Sequence, residues 1–203
     1  MLVTAKEVLA AARANHYAVP GFDCVEDVMV RAILETAQEC RAPAFIMCLE
    51  PDIRGNGWHY VSGLVKAVAA LHEIPIVLHM DHAENLQTIR RAVEVGFTSV
   101  MIDGSSLPFE ENVALTKEAA EIAHAAGATI EGELGHVGGA DLDETEHREN
   151  VLTEPDEVAR FVEQTGVDAL AVSIGTSHGV YKSLPNLNIE RLVELDQASS
   201  VPL

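Results

Sequence analysis

The chain has 203 residues, with 13 Lys and Arg against 32 Asp and Glu, a formal charge of −19. A surface this acidic repels phosphate backbones and anionic lipid, which are held by clustered Lys and Arg, so neither nucleic acid nor a membrane is expected as a partner. Hydrophobic residues reach 48% while aromatics are only 4%, which predicts one aliphatic-core domain over residues 1–203.

The N-terminus, "MLVTAKEVLAAA", lacks the basic-then-apolar order of a signal peptide. Thr4-x-x-Glu7 instead has capping-box spacing and predicts a first helix. A strand follows at "YAVPGF" (17–22), then a helix over 26–40, a strand at "AFIMCL" (44–49) and a helix over 59–72. The third strand, "PIVLHM" (75–80), runs into His79, Asp81 and His82. Asp81-His82-Ala83-Glu84 fits a D-x-x-E capping box, so the plain reading is a helix start, with Glu84 and Asn85 opening the helix over 84–95. The sharper one is a metal ligand beside a proton-transfer acid. "TSVMI" (98–102) is the fourth strand. The helix over 109–126 shows clear 3.6 periodicity and closes on a Gly suited to a C-cap. "ATIEGEL" (128–134) is the fifth strand. The long polar stretch "GHVGGADLDETEHRENVLTEP" (135–155) reads as a binding loop, a lid or a solvated acidic loop. A helix over 155–165, a strand at "ALAVSI" (169–174) and a helix over 188–197 complete the pattern. "SSVPL" has the composition of a seventh strand's beginning.

Strands apolar on both faces and separated by helices imply a parallel sheet. Six such units fit a doubly wound sheet or most of a TIM (β/α)8 barrel. No G-x-G-x-x-G follows the first strand, which favours the barrel. A barrel needs ~250 residues, so its C-terminal strands are expected to be missing from this chain. Cys24, Cys40 and Cys48 form no C-x-x-C pair, which points to a reducing, cytoplasmic setting. No apolar run approaches the ~18 residues of a membrane span.

In parallel α/β folds the chemistry sits at the C-terminal ends of strands. Four strand ends here carry polar groups: His79, Asp81 and His82; Asp103 and Ser105; Glu131 and Glu133; and the "SIGTSHGVYK" loop with Ser173, His178 and Lys182. Any one group is ordinarily a cap or a satisfied polar residue. Two histidines with a carboxylate suit a divalent ion such as zinc, and the third ligand is open among Glu133, Asp103, His79 and residues beyond the chain. The loop's glycines admit close backbone approach to an anion, with Lys182 as a point charge.

Three segments, "HMDHAENLQTIRRAVEVGFTSVMIDGSSLPFEENVALTKE", "EGELGHVGG" and "SIGTSHGVYK", together resemble the class II, zinc-dependent ketose-bisphosphate aldolases, which include the fructose- and tagatose-1,6-bisphosphate enzymes. The resemblance spans essentially the whole chain. It implies His82 and His178 as zinc ligands and Asp81 as the catalytic acid/base. Glu133 and Asp103 match carboxylates near an alternative, buried metal position. Gly179 and Lys182 fall where the family holds a substrate phosphate, and Asp23 lies at a substrate-facing strand end. Asp141 is the candidate for a second proton-transfer carboxylate in the acidic loop.

The implied reaction is reversible retro-aldol cleavage of a ketose phosphate or related ketose into a dihydroxyacetone phosphate-type fragment and an aldehyde. Zinc would be the Lewis acid, with a monovalent cation as a possible companion. A homo-oligomer, dimer or tetramer, is implied as well. The family's third histidine follows the strand that begins "VPL", beyond Leu203. Asp23 stands where the family usually has Asn, Leu49 lies near a usual Ser, Ser106 replaces a common His, and Ala83 a common Gly. An added negative charge at Asp23 would disfavour a phosphate nearby. Two other readings stand beside the aldolase. One is a non-catalytic or truncated aldolase-like barrel acting as a subunit or binding module. The other is metal-dependent hydrolysis, for which the H-M-D-H spacing departs from the usual H-x-H.

Overall fold

The computed structural model describes residues 1–139, 150–181 and 184–203. Six strands, Gly21–Asp23 (β1), Ala44–Leu49 (β2), Ile76–Ala83 (β3), Ser99–Ile102 (β4), Thr129–Leu134 (β5) and Ala169–Val172 (β6), form one sheet in chain order. Every neighbouring pair is parallel. Parallel neighbours need a crossover, and helices supply them: Asp27–Cys40 (α2), Gly57–Ala69 (α3), Leu86–Val95 (α4), Phe109–Ala125 (α5) and Pro155–Thr165 (α6). Ala5–Asn15 (α1) precedes the sheet and Ile189–Ala198 (α7) follows it. A doubly wound sheet would reverse its strand order at a switch point. An order that never reverses gives a curled, six-stranded parallel half-barrel.

Side-chain alternation divides the sheet into two faces. Ile46, Cys48, Ile76, Leu78, Met80, Val100, Ile102, Ile130 and Leu134 point outward into one apolar cluster shared with the helices. Fully burying a side chain such as Leu78 or Phe161 contributes ~1.5–3 kcal/mol, so this outer layer carries most of the core. On the inner face Phe45 and Val77 pack instead against Ala5 and Val8 of α1. The segment leading into α1 pairs with β3, with Val3 N–H to Ile76 O and Ile76 N–H to Met1 O both at 2.9 Å. Ala5 N–H bonds Thr129 Oγ1 at 3.2 Å. Helix α1 therefore covers the N-terminal ends of the strands and leaves the polar C-terminal ends open.

The predicted elements fall where expected, with informative shifts. The first strand begins at Gly21 rather than Tyr17, because Tyr17 N–H still bonds Ala12 O at the end of α1 (3.1 Å) and Pro20 has no N–H to pair. Thr4 occupies the N-cap of α1 without capping it, since its hydroxyl turns to Glu7 Oε1 at 3.4 Å. Leu170 N–H of β6 bonds Pro202 O at 3.0 Å, so the "VPL" segment does lie along the sheet edge. Among the described residues no helix is long and apolar enough to cross a membrane.

Candidate active site

The third strand does not stop at Met80. It continues through Asp81 and His82 to Ala83, and Asn85 rather than Asp81 caps the next helix, accepting Thr88 N–H at 3.0 Å. Asp81 is therefore in a strand and does not cap, while the helix opens at Asn85 as expected. Met80 pairs with Val100 and Ala83 with Ile102, so three steps on β3 match two on β4. The extra residue is a β-bulge, with His82 at φ +44°. In a regular strand Asp81 and His82 would point to opposite faces. Here Met80 and Ala83 both join the outer core, and the bulge leaves the two residues between them for the open end.

His82 Nδ1 lies 3.1 Å from Asp103 Oδ2 and 3.9 Å from Glu133 Oε2. Ligand atoms of His82, Asp103 and Glu133 all lie within 4.8 Å of one another. The His178 ring stands edge-on to His82, centroids 5.1 Å apart. An imidazole with two carboxylates, 25%, 18% and 2% exposed, is a donor set that suits a divalent cation. Its electrostatics agree. Burial and the Asp103 charge push the Glu133 carboxyl well above its ordinary value. Burial acts the same way on Asp103, but its bonds with His82 and Ser105 hold it low. His82 is raised to about 9: burial opposes its charged form, yet the Asp103 hydrogen bond and the charges of Asp81, Asp103 and Glu133 outweigh it. Two carboxylates crowded out of water are the groups a cation would neutralise.

Asp81 belongs to a neighbouring arrangement on the inner face. Buried His79 shares a hydrogen bond with Ser99 Oγ (2.8 Å) and presents Nε2 to Asp81 Oδ1 at 3.7 Å and Glu131 Oε2 at 3.8 Å. Burial alone would raise the Asp81 carboxyl, but His79, then His82 and His178, hold it below its usual range. Glu131 is pushed upward, chiefly by burial.

The long stretch after β5 is anchored where it is described. His136 and Val151 exchange backbone bonds at 2.8 and 2.9 Å, and His178 N–H bonds Gly138 O at 2.8 Å. Gly139, at φ +120°, could not carry a side chain there, because a Cβ would come within 2.5 Å of His178 O. Glu133 Oε1 accepts Val137 N–H at 3.1 Å, and Ser105 Oγ meets His136 Nδ1 at 2.7 Å. His136 Nε2 and Ser173 Oγ are buried without a hydrogen-bond partner among the described residues.

The fold therefore gathers His82, Asp103 and Glu133 into one group, with His178 and Asp81 beside it. Asp23 is exposed at the end of β1 and pairs with Met47, which in turn pairs with His79. Two strand spacings, roughly 10 Å, separate it from β3. Gly179 follows His178 with φ +81°. Asp141 and Lys182 lie outside the described residues. Sequence reading missed Thr153 and Asn150, which tie the loop to its neighbours. A Thr two residues ahead of a helix reads as a cap, and nothing in its spacing shows that it reaches two strands.

The fold and site define a parallel β/α half-barrel whose open end carries a His–carboxylate group able to hold a cation. The class II fructose-bisphosphate aldolase family model matches residues 3–203, and the chain belongs to that family. It is similar to the YdjI aldolase from Escherichia coli K12, with TM-score 0.88 and 34% identity over 100% of this chain and 72% of that one. A Coccidioides immitis protein, described provisionally as a fructose-1,6-biphosphate aldolase, gives 0.85 and 32% over 96% and 69%. The fructose-bisphosphate aldolase from Campylobacter jejuni gives 0.79 and 25% over 97% and 65%.

Proposed function

We propose that this chain is a zinc-dependent aldolase that cleaves a ketose phosphate or related ketose to a dihydroxyacetone phosphate-type fragment and an aldehyde. The observation that carries the reading is the bulge in β3, which sets Asp81 beside a metal-suited group of His82, Asp103 and Glu133. His82 and His178 would hold the ion, with Glu133 and Asp103 as the carboxylate donors. Once bound, it would supply a Lewis acid for the negative charge that builds on the ketose carbonyl oxygen as the carbon–carbon bond breaks.

This chain's own residues account for the proton. Asp81 is held ionised by its imidazole neighbours, so it can accept the proton of the hydroxyl on the carbon that becomes the aldehyde. In condensation it returns that proton. His79, fixed by Ser99, keeps Asp81 aimed at the open end. Asp141 would protonate the remaining fragment. The Gly179 backbone, at positive φ, and Lys182 would receive the phosphate. Asp23 adds a negative charge on the far side of the opening, which favours a substrate whose distal end carries no phosphate. The six described strands would be part of an eight-stranded barrel.

Retro-aldol cleavage is to be measured on phosphorylated and unphosphorylated ketoses with added zinc, then with a chelator and with Asp81→Ala. Activity that survives intact in either control sinks the proposal.

A further inference from the structure

One side chain, Asn150, joins the segment that follows β5 to the loop that bears His178. Asn150 Oδ1 accepts Gly138 N–H at 2.5 Å. Its amide nitrogen donates to Ser177 Oγ at 2.9 Å. The Gly138 carbonyl in turn accepts His178 N–H at 2.8 Å, and Ser177 N–H is held by Tyr181 Oη at 2.7 Å. One residue back, Val137 N–H bonds the Glu133 carboxylate at 3.1 Å. The peptides between Glu133 and His178 thus form a short bridge, and Asn150 grips its middle and its far end at once.

We infer that Asn150 is a positioning residue that sets His178 relative to Glu133 and so tunes how tightly the site holds a divalent ion. The inference rests on the metal-site reading above. Geometry dictates which way the amide faces, since it is the Gly138 N–H that points at Asn150, and only the Asn oxygen can accept it. Asn150 is exposed and contributes nothing to the core, so its role is alignment rather than packing. Groups that orient metal ligands from behind typically alter affinity ~10–100-fold when removed.

Zinc affinity is to be measured by competition with a chromophoric chelator for wild type, Asn150→Leu and Asn150→Asp. Leucine keeps the shape and loses both bonds, and should raise the zinc Kd by ~10-fold or more. Aspartate keeps the acceptor for Gly138 and can accept from the Ser177 hydroxyl, so it should stay within ~3-fold of wild type. The melting temperature of the metal-free chain should be alike in all three, which a merely structural role would not produce. An unchanged Kd in Asn150→Leu overturns the inference, as does a loss in Asn150→Asp equal to that of leucine. If Asn150→Leu fails to fold, Ser177→Ala, which removes one of the two bonds, must weaken zinc binding measurably or the inference falls. Wild type that binds no zinc overturns the metal-site reading itself, and this inference with it.

Discussion

Thr153 is fully buried and works in two directions. Its hydroxyl donates to Leu134 O at the end of β5 and accepts Ser173 N–H at 2.8 Å just past β6. Its own N–H bonds Ser173 O at 3.1 Å. Thr153→Val preserves volume and branching and deletes only the hydroxyl. It would strand the Leu134 carbonyl and the Ser173 amide, in residues 4% and 0% exposed. An unsatisfied buried group costs ~1–3 kcal/mol, so the pair should cost about 2–6 kcal/mol. For a chain of this size each kcal/mol shifts the midpoint by ~2–4 °C, which predicts a melting temperature lower by roughly 4–24 °C. Thr153→Ser keeps the hydroxyl and loses one methyl, a cost of about 1 kcal/mol. Urea titration and thermal unfolding of the metal-free variants give both numbers. If valine is tolerated within 0.5 kcal/mol (roughly the scatter of surface changes), or serine costs as much as valine, the stitch between β5 and β6 is not where the reasoning places it.

Asp81→Asn should lower kcat by ~10²–10⁴-fold, the usual contribution of a positioned acid or base. Chelator competition should show zinc affinity close to wild type, because Asp81 is outside the His82–Asp103–Glu133 group; a parallel loss of zinc would make Asp81 a ligand instead. Thiol titration of the native chain near pH 8 should find one reactive cysteine, the exposed Cys40. Cys24 is pushed up to about 11 by burial and Asp23, and Cys48 higher still by burial and its acidic neighbours, so both should react only after unfolding. Three fast thiols would refute the packing of β2 against the β1 exit.

Much of this was legible in the sequence because periodicity reports which face is apolar. The 155–165 helix falls on its expected bounds, and the strands through β5 come within a residue or a few of their apolar runs. Asp103 and Glu133 stood out in the sequence because each lies at the end of an apolar strand, and the fold brings their carboxylates together with His82. Long-range hydrogen bonding left no such trace. Thr153, Asn150 and the Ser99–His79 pair each join segments that are remote in the chain, and a local pattern carries no information about them.

The bulge at His82 is the feature that local chemistry shows least, and it is the one on which the site depends. D-x-x-E spacing is a sound cap signal, but Asn85 offers the same chemistry four residues later, and extending β3 satisfies Asp103 N–H through Ala83 O at 2.9 Å. Extension then demands an extra residue at positive φ. That demand has a measurable sign. In a regular strand, Val at position 82 would be favoured over Asn by β-propensity. At φ +44° the order reverses, since a β-branched side chain is strained in the left-handed region by ~1–2 kcal/mol while Asn enters it readily. His82→Val should therefore be less stable than His82→Asn by about 1 kcal/mol or more in urea titrations of the metal-free chain, where the lost imidazole is common to both. Greater stability of the valine variant would mean that β3 runs straight, and that Asp81 and His82 do not share the open end of the half-barrel.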